Sequence, residues 1–234
     1  MLLRGSEIAR LISFYIFMAK PSKFISTKRS KNLAYAIGLF TADGCLSSDK
    51  RHLEFSSKDK EQVEHFRECL NLNNKITKKA RSNEKIKKYY HIQFGSVQFY
   101  KFLESVGLRS RKSKIIKKLK IPKRFFSDFL RGLFDGDGNF NIFNHPESQY
   151  PQIRVRFASG SHGFLKWLQS KINYKLKTRG YITKVQRCEY LEYAKSDSVK
   201  ILKFMYFSPN VVHLLRKFEK ARPYFADVVK LENT

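Results

Sequence analysis

A nine-residue block occurs twice in this chain of 234 residues, and this repeat constrains the fold more than any other feature. Residues 36–44 (AIGLFTADG) align without a gap with residues 130–138 (LRGLFDGDG), and five of the nine positions are identical. The aspartates of the two blocks, Asp43 and Asp137, are 137 − 43 = 94 residues apart. Self-similarity at a fixed offset indicates duplicated structural units. The chain is therefore predicted to consist of two similar halves.

The residues around the two blocks repeat as well. A helical pattern leads into each block, and alternation typical of strands follows it, in residues 52–57 and 153–159. Next come amphipathic helices, for which Asp59 and Ser161 are the predicted N-caps. Further strands (89–94, 182–186 and 189–195) and closing helices (97–106 and 198–207) complete the pattern. The predicted fold class is α+β, with two pseudo-symmetric αββαββα units.

These patterns divide the chain into five parts. We expect an N-terminal extension (1–31), a first unit (32–111), a basic linker (112–124), a second unit (125–208) and a C-terminal helical tail (209–234).

The charge of the chain indicates a polyanionic partner. There are 47 basic and 20 acidic residues, a formal net charge of +27, which repels itself unless an anion neutralises it. Duplex DNA would bind a basic face of this size through counterion release, although ribosomal RNA or a membrane surface would satisfy the same charge. The apolar run at 11–19 is too short to cross a bilayer, so we expect no membrane span.

The cysteines exclude two kinds of site. Cys45, Cys69 and Cys188 are odd in number and form no CxxC pair, so neither a disulfide framework nor a zinc site is expected. We expect an intracellular, reducing compartment, either the cytoplasm of a microbe or an organelle matrix.

Small residues recur within both blocks at helical spacing. Gly38 and Ala42 are four residues apart, as are Gly132 and Gly136, which places each pair on one helix face. Glycine in a helix costs about 1 kcal/mol relative to alanine, and close approach of two helix backbones would offset that cost. The two motif helices are therefore predicted to cross at these residues.

Asp43 and Asp137 then fall at the C-terminal ends of the two crossing helices. Each is followed by a glycine, which predicts a left-handed helix stop. Two carboxylates at the negative ends of touching helices are unfavourably placed, so either the pKa of one is raised or a cation binds between them. Mg²⁺ prefers carboxylate, carbonyl and water oxygens, so the free carbonyls of Ala42 and Gly136 are candidate ligands beside the two carboxylates. An isolated Asp-Gly is most often a turn, but two blocks in register favour a metal site.

The two blocks resemble the motif of the LAGLIDADG homing endonucleases, and two copies in one chain resemble the single-chain branch of that family. The stretch 129–138 (FLRGLFDGDG) is the closer match, whereas the first block departs at Ile37 and Thr41. The resemblance implies two units packed through their motif helices, with antiparallel sheets forming a saddle over the DNA major groove. It also implies a monomeric, intron-encoded nuclease in which Asp43 and Asp137 are catalytic and bind Mg²⁺, for which Mn²⁺ or Ca²⁺ could substitute in binding.

The resemblance suggests further site residues. Lys195, expected at the end of a fourth strand, is the candidate for polarising the water or the phosphate, and Gln93 is its expected counterpart. Ser57 and Ser159 end the second strands, where relatives hold the water network. Basic residues at alternate strand positions are expected to face the DNA, namely Lys78, Arg81, Arg154, Arg156, Lys184 and Arg187.

Two other functions stay open. The same scaffold could bind intron RNA as a maturase, or it could be a non-catalytic DNA-binding protein. Retention of both aspartates weighs against the non-catalytic reading, because a binder gains nothing from two unfavourable carboxylates.

Overall fold

A computed structural model of the chain describes residues 25–80, 84, 86–110, 115–144, 146–147, 149, 151–185 and 188–225. The first unit contains α1 (Lys31–Asp43), β1 (Gly44–Leu46), β2 (His52–Ser57), α2 (Lys60–Cys69), β3 (Thr77–Lys79), β4 (Tyr89–Gly95) and α3 (Val97–Val106). The hydroxyl oxygens of Ser30 and Ser96 accept the backbone N–H of Leu33 and Phe99, so α1 and α3 begin at capped ends.

The second unit repeats this order. It contains α4 (Phe126–Asp137), β5 (Gly138–Phe143), β6 (Gln152–Ser159), α5 (His162–Leu176), β7 (Tyr181–Val185), β8 (Cys188–Tyr193) and α6 (Lys195–Met205). A short α7 (Leu215–Ala221) follows in the C-terminal segment.

Each unit has one antiparallel four-stranded sheet. The strand orders are β1-β2-β4-β3 and β5-β6-β8-β7, so the two sheets have the same topology. Residues buried at every second position of β2 and β6 face the helices, and the residues between them form the opposite, open face of each sheet. The predicted α+β fold with two αββαββα units is confirmed.

The motif helices α1 and α4 pack against each other at backbone distance. A Cβ atom on Gly38 would lie 2.2 Å from the carbonyl oxygen of Phe129, and one on Gly132 would lie 2.1 Å from that of Tyr35. No side chain fits in either gap. Glycine at these two positions therefore lets the two units meet along their motif helices.

The predicted left-handed helix stops are wrong. Gly44 and Gly138 have extended backbones, with φ of −81° and −77°. Glycine is needed there for space, since a Cβ would lie 2.3 Å from the Phe40 ring at Gly44 and 2.4 Å from the Phe134 ring at Gly138. In each unit the backbone therefore passes directly from the motif helix into the first strand.

Two connecting segments each bind the opposite unit. Arg216, after the second unit, forms an ion pair with Asp59 of the first, with Nη2–Oδ2 at 2.7 Å. Ser161 of the second unit donates to the carbonyl of Ile116, which follows the first unit. In the described part of the chain, neither Asp59 nor Ser161 makes the predicted capping bond, because the crossing segment engages the side chain instead.

None of the helices in the described residues is long and apolar enough to span a bilayer. The apolar run at 11–19 lies outside the described residues. All three cysteines are free thiols.

Candidate active site

The C-terminal ends of α1 and α4 bring Asp43 and Asp137 to the seam between the units. The Asp43 Oδ2 atom lies 3.7 Å from the position that a Cβ would take on Gly136, the residue before Asp137. On the same helix turn, a Cβ on Gly136 would lie 2.3 Å from that of Ala42. The two aspartates are therefore held beside each other by the close packing of the helices that carry them.

Both aspartates line one open cavity of about 270 Å³ at the seam. Its wall also includes Ser57 and Lys58 from the end of β2. The full lining is Asp43, Ser56, Ser57, Lys58, Asp59, Gln62, Tyr89, Asp135, Gly136 and Asp137. The end of β2 in the first unit thus faces the end of the motif helix of the second unit.

A smaller cavity of about 80 Å³ has the reciprocal arrangement. Ser159 and Gly160, at the end of β6, face Thr41 and Ala42 of α1, and Asp137 lines this cavity too. The two serines predicted to hold water thus end beside the opposite motif helix. The pair of cavities is not symmetric, because Lys58 of the first unit corresponds to Gly160 of the second.

A lysine that the sequence analysis missed binds the backbone carbonyls on both sides of Asp137. Lys217 of α7 is buried, and its Nζ donates to the carbonyl oxygens of Phe134 and Asp135 at 2.6 and 2.9 Å. It also donates to the carbonyls of Gly136 and Gly138 at 3.2 and 2.6 Å. These are carbonyls of the last turn of α4 and the first carbonyl of β5, at a helix end where carbonyls run short of backbone donors; the Phe134 carbonyl also accepts the Gly138 backbone N–H. Burial lowers the pKa of the Lys217 ammonium to about 8, with the charge of Asp135 opposing that shift.

Lys217 could not be found from local pattern, since it is 217 − 137 = 80 residues from Asp137. Only the path of the C-terminal segment across the seam brings it there. The general need of a helix C-terminus for donors or cations was the one available indication. Lys217 also occupies the Gly136 carbonyl that the sequence analysis assigned to the metal.

A third aspartate at the seam, Asp135, has a buried side chain. Its Oδ2 accepts from the Tyr35 hydroxyl of α1 at 2.7 Å and from the Leu214 backbone N–H at 2.9 Å. Burial raises the pKa of the Asp135 carboxyl, and the bond from Tyr35 and the charge of Lys217 oppose the shift. Asp135 therefore joins both motif helices to the C-terminal segment, whereas the hydroxyl of its counterpart Thr41 donates back to the Ile37 carbonyl within α1.

Lys195 and Gln93, which were both predicted to be catalytic, do not line either of these two cavities. Lys195 is exposed and is the first residue of α6, because β8 ends at Tyr193, so the prediction that it ends the fourth strand is wrong. Gly138 is level with Phe157 and Leu191 across the sheet. Lys195 follows Leu191 by four residues and lies beyond the end of β8.

Gln93 is exposed on the open face of the first sheet, opposite Glu54. By register its counterpart in the second unit is Glu192 rather than Lys195, since the two occupy equivalent rows with Glu54 and Arg156.

The residues predicted to bind DNA are divided between the two sheet faces. Arg154 and Arg156 lie on the open face of the second sheet, alternating with buried Ile153, Val155 and Phe157. Arg81 and Arg187 lie outside the described residues.

Lys78 and Lys184 lie on the helix side of their sheets, so their predicted orientation towards DNA is wrong. Lys78 pairs with Tyr90, which pairs with Ser57 on the helix side, and the Lys78 ammonium lies 5.0 Å from the Tyr90 ring centre. Lys184 pairs with Glu189, and Glu189 with Ser159. The residues of β3 that share the open face are instead Thr77 and Lys79.

The donor set at the seam suits a hard divalent cation. Among the described residues, no group of three or more histidine, cysteine or acidic side chains forms a metal cluster. The two motif carboxylates are accompanied by backbone carbonyls and by space open to water. Mg²⁺ retains several waters and binds through one or two carboxylates, so the residues present fit it better than they fit Zn²⁺.

Comparisons with known proteins agree on the architecture. The family model of the LAGLIDADG-like domain matches residues 30–107. The meganuclease I-SmaMI, bound to uncleaveable DNA, superimposes with a TM-score of 0.58 at 13% identity, over 85% of this chain and 91% of that chain. I-DmoI in complex with DNA and Ca superimposes with a TM-score of 0.54 at 16% identity, over 81% of this chain and 97% of that one.

Full-length DUF199/WhiA from Thermatoga maritima has the same fold. It superimposes with a TM-score of 0.54 at 17% identity over 88% of this chain, which spans 63% of that longer protein. No curated protein matches the sequence. The repeated motif, the two equivalent sheets and these similarities lead to one conclusion: this chain has the two-unit LAGLIDADG fold, and its residues 30–107 form a LAGLIDADG-like domain.

Proposed function

We propose that this chain is a homing endonuclease that makes a double-strand break in a long, asymmetric DNA site, using one aspartate from each unit. The observation that carries the proposal is the convergence of Asp43 and Asp137 in one open cavity at the seam. A duplex has two antiparallel strands, and two pseudo-symmetric carboxylates provide one for each scissile phosphate. Since one chain supplies both, a monomer is sufficient.

The two carboxylates would hold the metal. Both leave the negative ends of their helices, where a cation is favoured, and Mg²⁺ is the ion that the donor set suits best, with Mn²⁺ or Ca²⁺ able to replace it in binding. When bound, such a cation supplies a nucleophile at neutral pH and stabilises the leaving oxygen.

Two lysines of the chain have separate roles at this site. Lys217 fixes the junction of α4 and β5 through three carbonyl oxygens of α4 and that of Gly138, and thereby orients Asp137. Lys58 lines the cavity and places positive charge where the scissile phosphate would lie.

The open faces of the two sheets would lie in the major groove. Each proposed unit, 32–111 and 125–208, would contact one half of the DNA site, with Arg154 and Arg156 on the open face of the second. A two-stranded ribbon fits the major groove, and arginine recognises guanine there. The charge of +27 supports phosphate binding along the rest of the interface.

One observation favours a second candidate, a non-catalytic DNA-binding protein. Lys217 already occupies the Gly136 carbonyl, which leaves fewer oxygen atoms for a cation. The same fold occurs in homing endonucleases bound to DNA and in DUF199/WhiA.

Selection followed by cleavage separates the candidates. Duplexes that bind the protein are first isolated from a random-sequence pool, cloned into a plasmid, and then incubated with the protein with and without Mg²⁺. Linear plasmid that forms only with the metal supports the nuclease. Tight, sequence-selective binding with no cleavage in Mg²⁺ or Mn²⁺ would favour the non-catalytic protein, and selective binding of structured RNA over duplex DNA would favour a maturase.

A further inference from the structure

A buried carboxylate lies on the open face of the second sheet, among its basic residues. Glu192 of β8 is 5% exposed. It accepts hydrogen bonds from Arg156 Nε at 2.9 Å, from Arg154 Nη1 at 3.2 Å and from Thr183 Oγ1 at 2.5 Å. One side chain thus joins residues of three neighbouring strands.

A carboxylate in this place opposes general binding to DNA. It cancels positive charge on the face that would meet a polyanion, in a chain with only 20 acidic residues against 47 basic ones. A buried charge of this kind is retained only with well-placed partners. Its effect on the two arginines is therefore more informative than its effect on the net charge.

The contacts of Glu192 hold each guanidinium in one orientation. Arg156 bonds through Nε, and among the described residues neither of its terminal nitrogens makes another hydrogen bond. Arg154 bonds through Nη1 and also lies over the Phe143 ring, with Cζ 5.0 Å from the ring centre. An arginine fixed in this way loses little side-chain entropy when it binds, and its planar donors match the O6 and N7 acceptors of guanine.

The register places this pair next to the catalytic motif. Arg156 is opposite Asn139, two residues after Asp137. Arg154 is two residues further along the same face of β6, a distance of about 6.7 Å. Successive base pairs are about 3.4 Å apart, so the two side chains are separated by about two base pairs.

The first unit has different chemistry in the equivalent row. Glu54 occupies the position that corresponds to Arg156. Its carboxylate bonds to Lys79 and lies 3.4 Å from His91 Nδ1. The two halves of the DNA site therefore face different side chains close to its centre.

We propose that Glu192 is a positioning residue that fixes Arg154 and Arg156 as a guanine-recognising pair, so that only the half-site facing the second unit carries two guanines about two base pairs apart near the cleavage centre. The proposal rests on the proposed function, in that the open face must meet DNA. It assigns specificity to a residue that itself makes no favourable contact with phosphate.

A binding selection tests the proposal without requiring cleavage. The folded full-length protein is used to select duplexes from a random-sequence pool, and the selected site is then compared with a version in which the two guanines are changed to adenines. We expect the wild type to prefer the guanine site at least tenfold. Glu192→Gln should reduce that preference to less than threefold while binding a scrambled duplex as tightly as the wild type or more tightly.

Two variants separate specificity from structure. Glu189→Gln removes a carboxylate on the helix side of the same strand, where it pairs with His162, and should leave the preference unchanged. Arg156→Lys keeps the charge but not the planar fork, so it should lose the preference at one guanine only. Thermal unfolding shows that each variant is folded.

The outcomes of this selection are distinct. Selected sites without the guanine pair, or an undiminished preference in folded Glu192→Gln and Arg156→Lys, would overturn the inference and leave the proposed function standing. A pool in which no sequence is enriched would overturn both.

Discussion

Lys217 Nζ donates a hydrogen bond of 2.6 Å to the backbone carbonyl of Gly138, the residue that follows Asp137. With its three further bonds to the end of α4, this ammonium holds the junction at which the motif helix becomes the first strand. The C-terminal segment that carries Lys217 also pairs Arg216 with Asp59 of the other unit. The position of the Asp137 carboxylate, which we propose to be catalytic, thus depends on a segment that lies beyond both sheets.

Removal of this ammonium should destabilise the protein. In Lys217→Met the buried carbonyls at the end of α4 lose their donor, and we expect the free energy of unfolding to fall by about 3 kcal/mol. Lys220→Met, an exposed position on the same helix, should change it by less than about 0.5 kcal/mol. Urea unfolding measures both values, and equal stabilities for the two variants would contradict the structural role of Lys217.

Alanine should be destabilising at Gly132, where the two motif helices cross, but tolerated at Gly163, which lies away from the crossing. Gly132→Ala places a methyl group 2.1 Å from the Tyr35 carbonyl oxygen, so the helices must separate, and we expect a loss of more than about 3 kcal/mol. Gly163 lies at the start of α5, and in Gly163→Ala the new methyl group would lie 3.4 Å from the Lys117 side chain, which is an ordinary contact. That variant should be as stable as the wild type or up to about 1 kcal/mol more stable. Equal melting temperatures in the two variants would show that the helices do not cross at Gly132.

Two of the three thiols, Cys45 and Cys69, should differ in reactivity. Cys45 is exposed, whereas burial raises the pKa of the Cys69 thiol to about 12, with a smaller contribution from Glu68. A disulfide reagent at pH 8 should therefore modify Cys45 within minutes and the half-buried Cys69 much more slowly. Loss of the fast phase in Cys45→Ser identifies the reactive group, and rapid modification of Cys69 in the folded protein would contradict its burial.

The raised pKa of Cys69 also predicts a pH dependence of stability. The thiol ionises near pH 9 in the unfolded chain but near pH 12 in the folded one, so the unfolded state releases its proton first. The contribution of the Cys69 thiol to the free energy of unfolding is therefore fully present below pH 9 and is lost as the pH rises towards 12. Unfolding free energies of wild type and Cys69→Ala should therefore converge over that range, and a constant difference would contradict the shift.

Lys58 should contribute to cleavage but not to stability. Its exposed ammonium lines the cavity that holds both aspartates, and the corresponding residue of the second unit is Gly160. We expect Lys58→Ala to reduce the cleavage rate roughly tenfold to a hundredfold, because charge at the phosphate is lost. Nicked plasmid should accumulate, since the strand cleaved beside Lys58 would then be cut more slowly than the other strand. Lys60→Ala, two residues away and paired with Glu64, is the matched control, and a similar slowing in both would argue for general charge alone.

The sequence predicted the parts of the site that belong to the repeated block. Gly38, Gly132 and the two aspartates are local to a nine-residue pattern, and helical spacing alone places them at a crossing and at its end. Space rather than backbone conformation explains Gly44 and Gly138, which no spacing argument distinguishes. Lys217 was missed because its partners lie about 80 residues earlier, and only the crossing of the C-terminal segment joins them.

The errors on the sheets have a simple origin in strand register. Lys184 is two residues from Ile182, so the two share a face, and the same parity relates Lys78 to Ile76. The alternation of apolar residues could therefore have placed both lysines on the helix side. Lys195 was misplaced because β8 ends at Tyr193 and α6 begins two residues later, a boundary that alternation does not define.

Cleavage of a selected site by the two aspartate variants tests whether Asp43 and Asp137 together perform the double-strand break. Single-turnover conversion of supercoiled plasmid to the linear form is measured in Mg²⁺ for the wild type, Asp43→Asn and Asp137→Asn, with binding to the same site in Ca²⁺ measured alongside. We predict that both variants bind within about threefold of the wild type but lose double-strand cleavage by at least about a thousandfold, a loss of about 4 kcal/mol in transition-state stabilisation. Cleavage by either variant at close to the wild-type rate, or wild-type cleavage that continues in EDTA, would show that the two aspartates do not hold a catalytic metal.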